Sequence, residues 1–251
     1  MSYIEIGTLD RAHITFAPWA WPFAIAARGK IDDYFTRLQS EQPGVWNGRV
    51  LLLNRFEIRE RVLHGGCFEA DFASFCVWRE WQCPDAGVFN VFAAAAVRSA
   101  DGAYLVGQMA ADTAAAGKLY FPCGTPEPAD LDPDGRLDLE GNVRRELLEE
   151  TGLDAAELSA EPGWSLVRDG GYITLLKTLK ARQSAHELRD RAMRYIESEH
   201  RPELVGIRML HSPADFDDRM PRFVTAFLTH CWSQARKSLG RAGGTLSPRS
   251  P

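Results

Sequence analysis

The 251-residue chain is 45% hydrophobic and 25% charged, ordinary proportions for a globular protein, which excludes bulk disorder. Lys and Arg total 29 against 34 Asp and Glu, so the formal charge is −5; a general nucleic-acid binder, which carries a basic surplus, is disfavoured. The five cysteines (Cys67, Cys76, Cys83, Cys123, Cys231) form no C-x-x-C pair, so neither a zinc knuckle nor a disulfide framework is indicated, and reduced thiols fit a cytoplasmic protein.

In chain order, the apolar stretch from Phe16 to Ala27 is too short to span a bilayer and is broken by Pro18 and Pro22. It has neither the basic leader nor the cleavage site of a signal peptide. Ile31 to Gln42 has helical spacing, with Ile31, Phe35 and Leu38 on one face. Val50–Ile58 and Val62–Phe68 read as a strand pair, and Asp71 as the cap of a helix carrying Phe72, Phe75, Cys76 and Trp81. Val91–Val97 and Ala103–Met109 read as a hairpin across Asp101-Gly102. A helix is expected from Asp138 to Thr151, ended by Gly152.

A second hairpin follows, Trp164–Val167 and Tyr172–Leu179 across Gly170-Gly171. Ser184 to Tyr195 reads as a helix, Leu204 to Leu210 as a strand and Pro221 to Arg236 as a closing helix. Strands and helices are intermixed, which argues for an α/β or α+β sandwich. The expected division is an α+β extension over 1–87, packed on a core unit over 88–237, and a mobile tail over 238–251.

Arg145-Glu146-Leu147-Leu148-Glu149-Glu150-Thr151-Gly152-Leu153 stands apart from this background. Residues three and four apart share a helix face, so Glu146, Glu149 and Glu150 project together beside the stripe Leu139, Val143, Leu147. Three clustered carboxylates repel unless a cation offsets them, and hard cations such as Mg²⁺ take oxygen ligands and share them with substrate phosphates. Arg145 lies beside Glu146 and four residues before Glu149, placed to orient a carboxylate. Most Glu/Arg runs are only solvated helix faces. The full string, however, has a chance occurrence of about one in 10⁵ in a chain of this length, which makes the bland reading the minor one.

The string resembles the C-terminal part of the Nudix box, G-x5-E-x7-R-E-U-x-E-E-x-G-U with U aliphatic. The upstream run Lys118 to Pro128 resembles the strand and loop entering such a box; Gly124 matches the family glycine, and Asp130 stands where the pattern has Glu. The similarity extends over about Val88 to Arg219. It implies an α/β/α sandwich with a mixed sheet that hydrolyses a nucleoside diphosphate linked to another moiety, using Mg²⁺ or Mn²⁺. It further implies a small-molecule nucleotide as substrate, no nucleic-acid or membrane partner, and compatibility with a homodimer.

Two departures stand out. Fourteen residues, not seven, separate Asp130 from Arg145, so Ala129 to Leu137 holds an insertion expected to loop out on the surface. Cys123 replaces the first glycine of the usual pair; the resemblance gives its carbonyl a metal contact, and its thiol no role. By the same resemblance Glu149 and Glu150 are the main metal ligands, with Glu146 a third ligand or the base. The base is often a later glutamate, for which Glu203 leads, then Glu199 and Glu197. Arg79, Arg98 or Arg168 could meet a phosphate, and Phe68, Phe72, Tyr120 or Phe121 a nucleobase, although surface and core roles are the ordinary fates of these residue types. The alternatives are a catalytically silent nucleotide-binding or regulatory module of the same fold, and a protein-interaction scaffold built on the Trp-rich N-terminal region.

Overall fold

The structure is a computed structural model that describes residues 4–242 apart from 43, 112 and 114. Two sheets form, each with apolar clusters packed on both of its faces. The larger has the order β1-β10-β11-β5-β6-β12, from β1 (Ile4–Leu9), β10 (Trp164–Asp169), β11 (Tyr172–Lys180), β5 (Asn90–Arg98), β6 (Tyr104–Met109) and β12 (Leu204–Leu210). Three two-residue strands join it: β7 (Leu119–Tyr120), β8 (Cys123–Gly124) and β9 (Ser159–Ala160). Only β5 and β11 are parallel neighbours along that path, so the sheet is mixed. The smaller sheet is β2 (Arg11–Phe16), β4 (Val62–Asp71) and β3 (Arg49–Arg59).

Alternation along β5 explains the layering. Val91, Ala93, Ala95 and Val97 point to one face, against Leu139, Val143 and Leu147 of α4 (Leu139–Thr151) and Leu188, Ala192 and Ile196 of α5 (Ala185–Ser198). Ala94 and Ala96 point to the other, against Val224, Phe227 and Leu228 of α6 (Arg222–Ala242). Helices on both faces of a mixed sheet make an α/β/α sandwich. The small alanines let helices approach closely on either side.

The small sheet turns Leu51, Leu53, Leu63 and Ile14 into the same core as α4 and α5. Its other face packs Val50, Leu52 and Phe68 under α3 (Phe72–Glu80), joined by α1 (Pro22–Ala26) and α2 (Arg28–Glu41). Asp71 caps α3 as expected, accepting the Ser74 N–H at 2.9 Å. β1 lies within the expected 1–87 extension yet forms an edge strand of the large sheet, so the extension is woven into the core unit rather than merely laid on it.

Three expectations are corrected. The hairpin across Asp101-Gly102 closes at one residue pair, Arg98 and Tyr104; beyond it the strands part, because β8 takes the edge of β5 and β7 that of β6. The box insertion is not a free excursion. Leu131 bridges Leu137, Arg136 bridges Thr15 of β2, and the Leu137 N–H bonds the Ile14 carbonyl at 2.9 Å, so the loop is stitched to the small sheet. The closing helix runs to Ala242, into the expected tail, whose residues 243–251 lie outside the described residues. Among the described residues no helix is long and apolar enough to cross a membrane, and all five cysteines are free.

Candidate active site

α4 begins where Asp138 accepts the Gly141 N–H at 2.8 Å and ends at Gly152, whose φ of 66° is left-handed. An added Cβ at Gly152 would lie 2.4 Å from the Tyr195 ring of α5, so glycine is required twice over. Gly152→Ala is expected to cost about 2 kcal/mol, lowering the melting midpoint by about 4–8 °C; a differential scan checks this.

Between those ends the helix presents its acids unequally. Glu150 is buried, 6% exposed. The Glu146 side chain is 13% exposed and that of Glu149 59%. The expectation of three carboxylates grouped together therefore holds for two: Glu149 turns outward, where its Oε2 accepts from Arg145 Nη1 at 3.1 Å. Arg145 joins the acids as foreseen. Its Nη1 lies 2.9 Å from Glu146 Oε1, and its Nη2 reaches both oxygens of buried Asp130 at 3.1 and 3.2 Å. Asp130 is fixed in turn by the Glu127 N–H at 2.9 Å and Asn142 Nδ2 at 3.1 Å. The insertion thus leaves intact the pairing of Asp130 with Arg145. Burial opposes the charged guanidinium, but the three acids outweigh it and raise its pKa further.

Burial pushes Glu146 up to about 7 and Glu150 well above the usual carboxylate range, and the charge of Glu203 adds to both shifts. Glu150 Oε1 accepts the Cys123 N–H at 3.2 Å, whereas its buried Oε2 has no partner in the protein. An orphaned carboxylate oxygen in a field of like charges is costly, and a divalent cation offsets that cost. All the donors concerned are oxygens, the set preferred by Mg²⁺ and Mn²⁺. The residues fit such an ion in chemistry and charge. They do not converge as they stand: among the described residues no group of three or more His, Cys, Asp or Glu is arranged to hold a metal.

Gly124 faces this cluster. A Cβ there would sit 2.3 Å from Glu146 Oε1, so the glycine makes room for the carboxylate; its φ is not in the left-handed region. Cys123 likewise adopts ordinary strand geometry in β8, so the missing glycine imposes no strain. Burial, reinforced by Glu150 and Glu146, pushes its thiol well above the usual value, so it supplies no thiolate. Because Glu146 yields at its flexible end, Gly124→Ala is expected to fold normally. It should lose about 10²-fold in turnover through displacement of that carboxylate, measurable as kcat beside an unchanged melting curve.

A cleft of about 670 Å³ opens beside Cys123, Gly124 and Glu203. Of the later glutamates, Glu203 lines this cleft, while Glu197 and Glu199 lie on or just after α5, exposed. Arg79, Phe72 and Tyr120 also line it. Arg98 instead stacks over Tyr104, and Arg168 over Phe56 and Phe89. Phe68 and Phe121 are fully buried core. The cleft further holds Asn90, Tyr172, Thr174, Arg222 and Phe223. Sequence reasoning missed Asn90, Tyr172 and Thr174 because β5 and β11 are parallel neighbours with no local signal of pairing, and Arg222 and Phe223 because nothing local shows where α6 begins against them.

Among solved structures, the chain is similar to RenU, a Nudix hydrolase of M. Smegmatis, at 16% identity and a TM-score of 0.38, over 64% of this chain and 93% of that one. It is similar to the MutT protein from Methanosarcina mazei Go1 at 15% identity and a TM-score of 0.37, over 59% and 95%. It is similar also to the C-terminal domain of mouse MUTYH, solved in complex with human PCNA, at 16% identity and a TM-score of 0.36, over 64% and 93%. No protein-family model and no curated protein matches the chain.

Proposed function

We propose that this chain is a Nudix hydrolase that cleaves the diphosphate linkage of a small-molecule nucleoside diphosphate derivative, releasing a nucleoside monophosphate and a phosphorylated second product. The observation that carries the reading is the buried pair Glu146 and Glu150, one oxygen of it unpartnered, behind Cys123 and Gly124, which line a cleft large enough for a nucleotide. Glu150 and Glu146 would hold Mg²⁺ or Mn²⁺, with Glu149 joining from the rim. The Cys123 carbonyl would be a further oxygen donor, the contact that the resemblance implies. When bound, the ion supplies charge neutralisation of the phosphates and acidification of a water.

The chain's own residues do the rest. Arg145 orients Glu146 and holds Glu149 beside it. Asp130 anchors Arg145 from beneath. Glu203 lines the cleft within electrostatic reach of both buried acids, and serves as the general base that takes a proton from the attacking water. Glu203→Gln is therefore expected to lower kcat by 10²–10⁴-fold with little change in KM. The test is turnover of nucleoside diphosphate sugars, ADP-ribose, dinucleoside polyphosphates, NADH, coenzyme A and oxidised dNTPs with Mg²⁺ and with Mn²⁺. Phosphorus NMR in labelled water identifies the products. A silent binding module would retain ligand and release none.

A further inference from the structure

The segment before residue 88 builds a second chamber, of about 680 Å³, that the chemistry at α4 leaves unused. It lies between α2, α3 and the start of β3, and Val50, Phe72, Arg79 and Tyr172 line both it and the catalytic cleft. The chain leaving β8 joins the two spaces as well: Gly124 and Thr125 line the cleft, Glu127 the chamber. One wall carries Trp46, which is 79% exposed, although an indole left in water is costly. The loop that bears it is pinned on both sides. Towards α2, the Val45 N–H bonds the Gln42 carbonyl at 3.0 Å and Gln39 Nε2 the Val45 carbonyl at 3.1 Å. Towards α3, the Phe72 N–H bonds the Gly48 carbonyl and the Ala73 N–H bonds Asn47 Oδ1, both at 2.9 Å. Gly48 lies against the indole: a Cβ there would sit 2.8 Å from Trp46 Cζ3. The exposed ring is therefore a prepared platform.

We propose that this chamber receives the second moiety of the substrate, the one that departs with its own phosphate, and selects a neutral polyhydroxylated ring stacked on Trp46. The walls bear both signs: Arg49, held by Glu69, and Arg79 against Glu80 and Glu127. A moiety of either charge would meet like charge there, and an aliphatic chain would offer these groups nothing. A hydroxyl donates to a carboxylate and accepts from a guanidinium, so a ring carrying several serves both. The face of an indole is negative and the ring C–H bonds of a sugar are slightly positive, so the two stack. Tyr34 and Gln42 add further polar groups on the α2 side. Arg79, common to both spaces, stands where the phosphate between them would pass. Apart from Glu127 and Tyr172 the lining comes from residues before 88, which gives that segment a part in specificity. The assignment rests on the diphosphate reading of the adjoining cleft and names the group on the far side of the scissile linkage.

The full chain is labelled with 5-fluorotryptophan and observed by fluorine NMR in Mg²⁺, the Trp46 resonance being assigned by its loss in Trp46→Phe. Glucose 1-phosphate, mannose 1-phosphate, AMP and inorganic phosphate are titrated in; as products they are not turned over. At least one hexose 1-phosphate is expected to shift the Trp46 resonance saturably, at about one tenth or less of the concentration that AMP or inorganic phosphate requires. Trp46→Ala, which removes an exposed side chain and should leave the melting curve unchanged, is expected to weaken that hexose phosphate about tenfold in calorimetry. Glu80→Gln should weaken it as well and leave inorganic phosphate as it was. A Trp46 resonance unmoved by either hexose phosphate would overturn the assignment, as would one moved first by AMP, which would make the chamber a second nucleoside site. Hydrolysis of nucleoside diphosphate sugars with an unmoved Trp46 resonance would remove the chamber and keep the diphosphate reading. A hexose-dependent shift in a protein that hydrolyses none of them would keep the chamber and remove that reading instead.

Discussion

Glu150→Gln is expected to lose on the order of 10³-fold in turnover, about 4 kcal/mol of transition-state stabilisation, while the metal-free protein melts higher than wild type above pH 7. Both effects come from one buried oxygen. Glu150 keeps its bond from the Cys123 N–H through Oε1, but Oε2 is buried with no partner, and the charges of Glu146 and Glu203 act on the carboxylate. The sign follows from the raised pKa values. A carboxyl whose folded pKa lies above its unfolded one favours the folded state while protonated, and that contribution is lost as pH rises through the folded value.

For Glu146 the window runs from its ordinary 4.5 to about 7, and for Glu150 it extends higher. Metal-free wild type should therefore lose stability as pH climbs through this range, Glu150→Gln should lose less, and Mg²⁺ should restore wild type alone. Melting curves at several pH values, with EDTA and with Mg²⁺, check all three. A flat, metal-insensitive wild-type profile would count against the arrangement.

Arg145→Ala is expected to destabilise the fold by about 3 kcal/mol, the low end for a broken buried pair because the guanidinium is a third exposed. The melting midpoint should fall by about 6–12 °C. Arg145 spans three acids, but its stability effect comes mainly from Asp130, whose side chain is 5% exposed and would be left as an uncompensated charge. Glu149 is solvated and loses little. Pairing the change with Asp130→Asn should recover part of the midpoint and none of the activity, since Glu146 is still unheld. A single variant melting within about 2 °C of wild type would show that the network is ornamental.

The core unit was legible wherever the signal is local. Asp138 and Gly152 bound α4 as their residue types require, and the string from Arg145 to Gly152 placed two carboxylates at a buried edge. Glu149 was grouped with them because helical spacing fixes where a Cβ points, not which rotamer a nearby arginine captures. Long-range pairing left no trace in the pattern: β1 joins β10 from the far end of the chain, and the Asp101-Gly102 turn gives no warning that β7 and β8 take the inner edges of its strands. The docking of the insertion on β2 was hidden for the same reason, since Thr15 and Ile14 carry no mark of their partners. Asn90 and Thr174 read as ordinary strand positions until the parallel register of β5 and β11 brings them together.

The most direct test of the central claim is Mn²⁺ binding followed by electron paramagnetic resonance, comparing wild type with Glu150→Gln and Glu149→Gln. The arrangement predicts a bound-Mn²⁺ signal for wild type that is abolished by Glu150→Gln and only weakened by Glu149→Gln, whose side chain is solvent-exposed. Equal Mn²⁺ binding by all three proteins would contradict it.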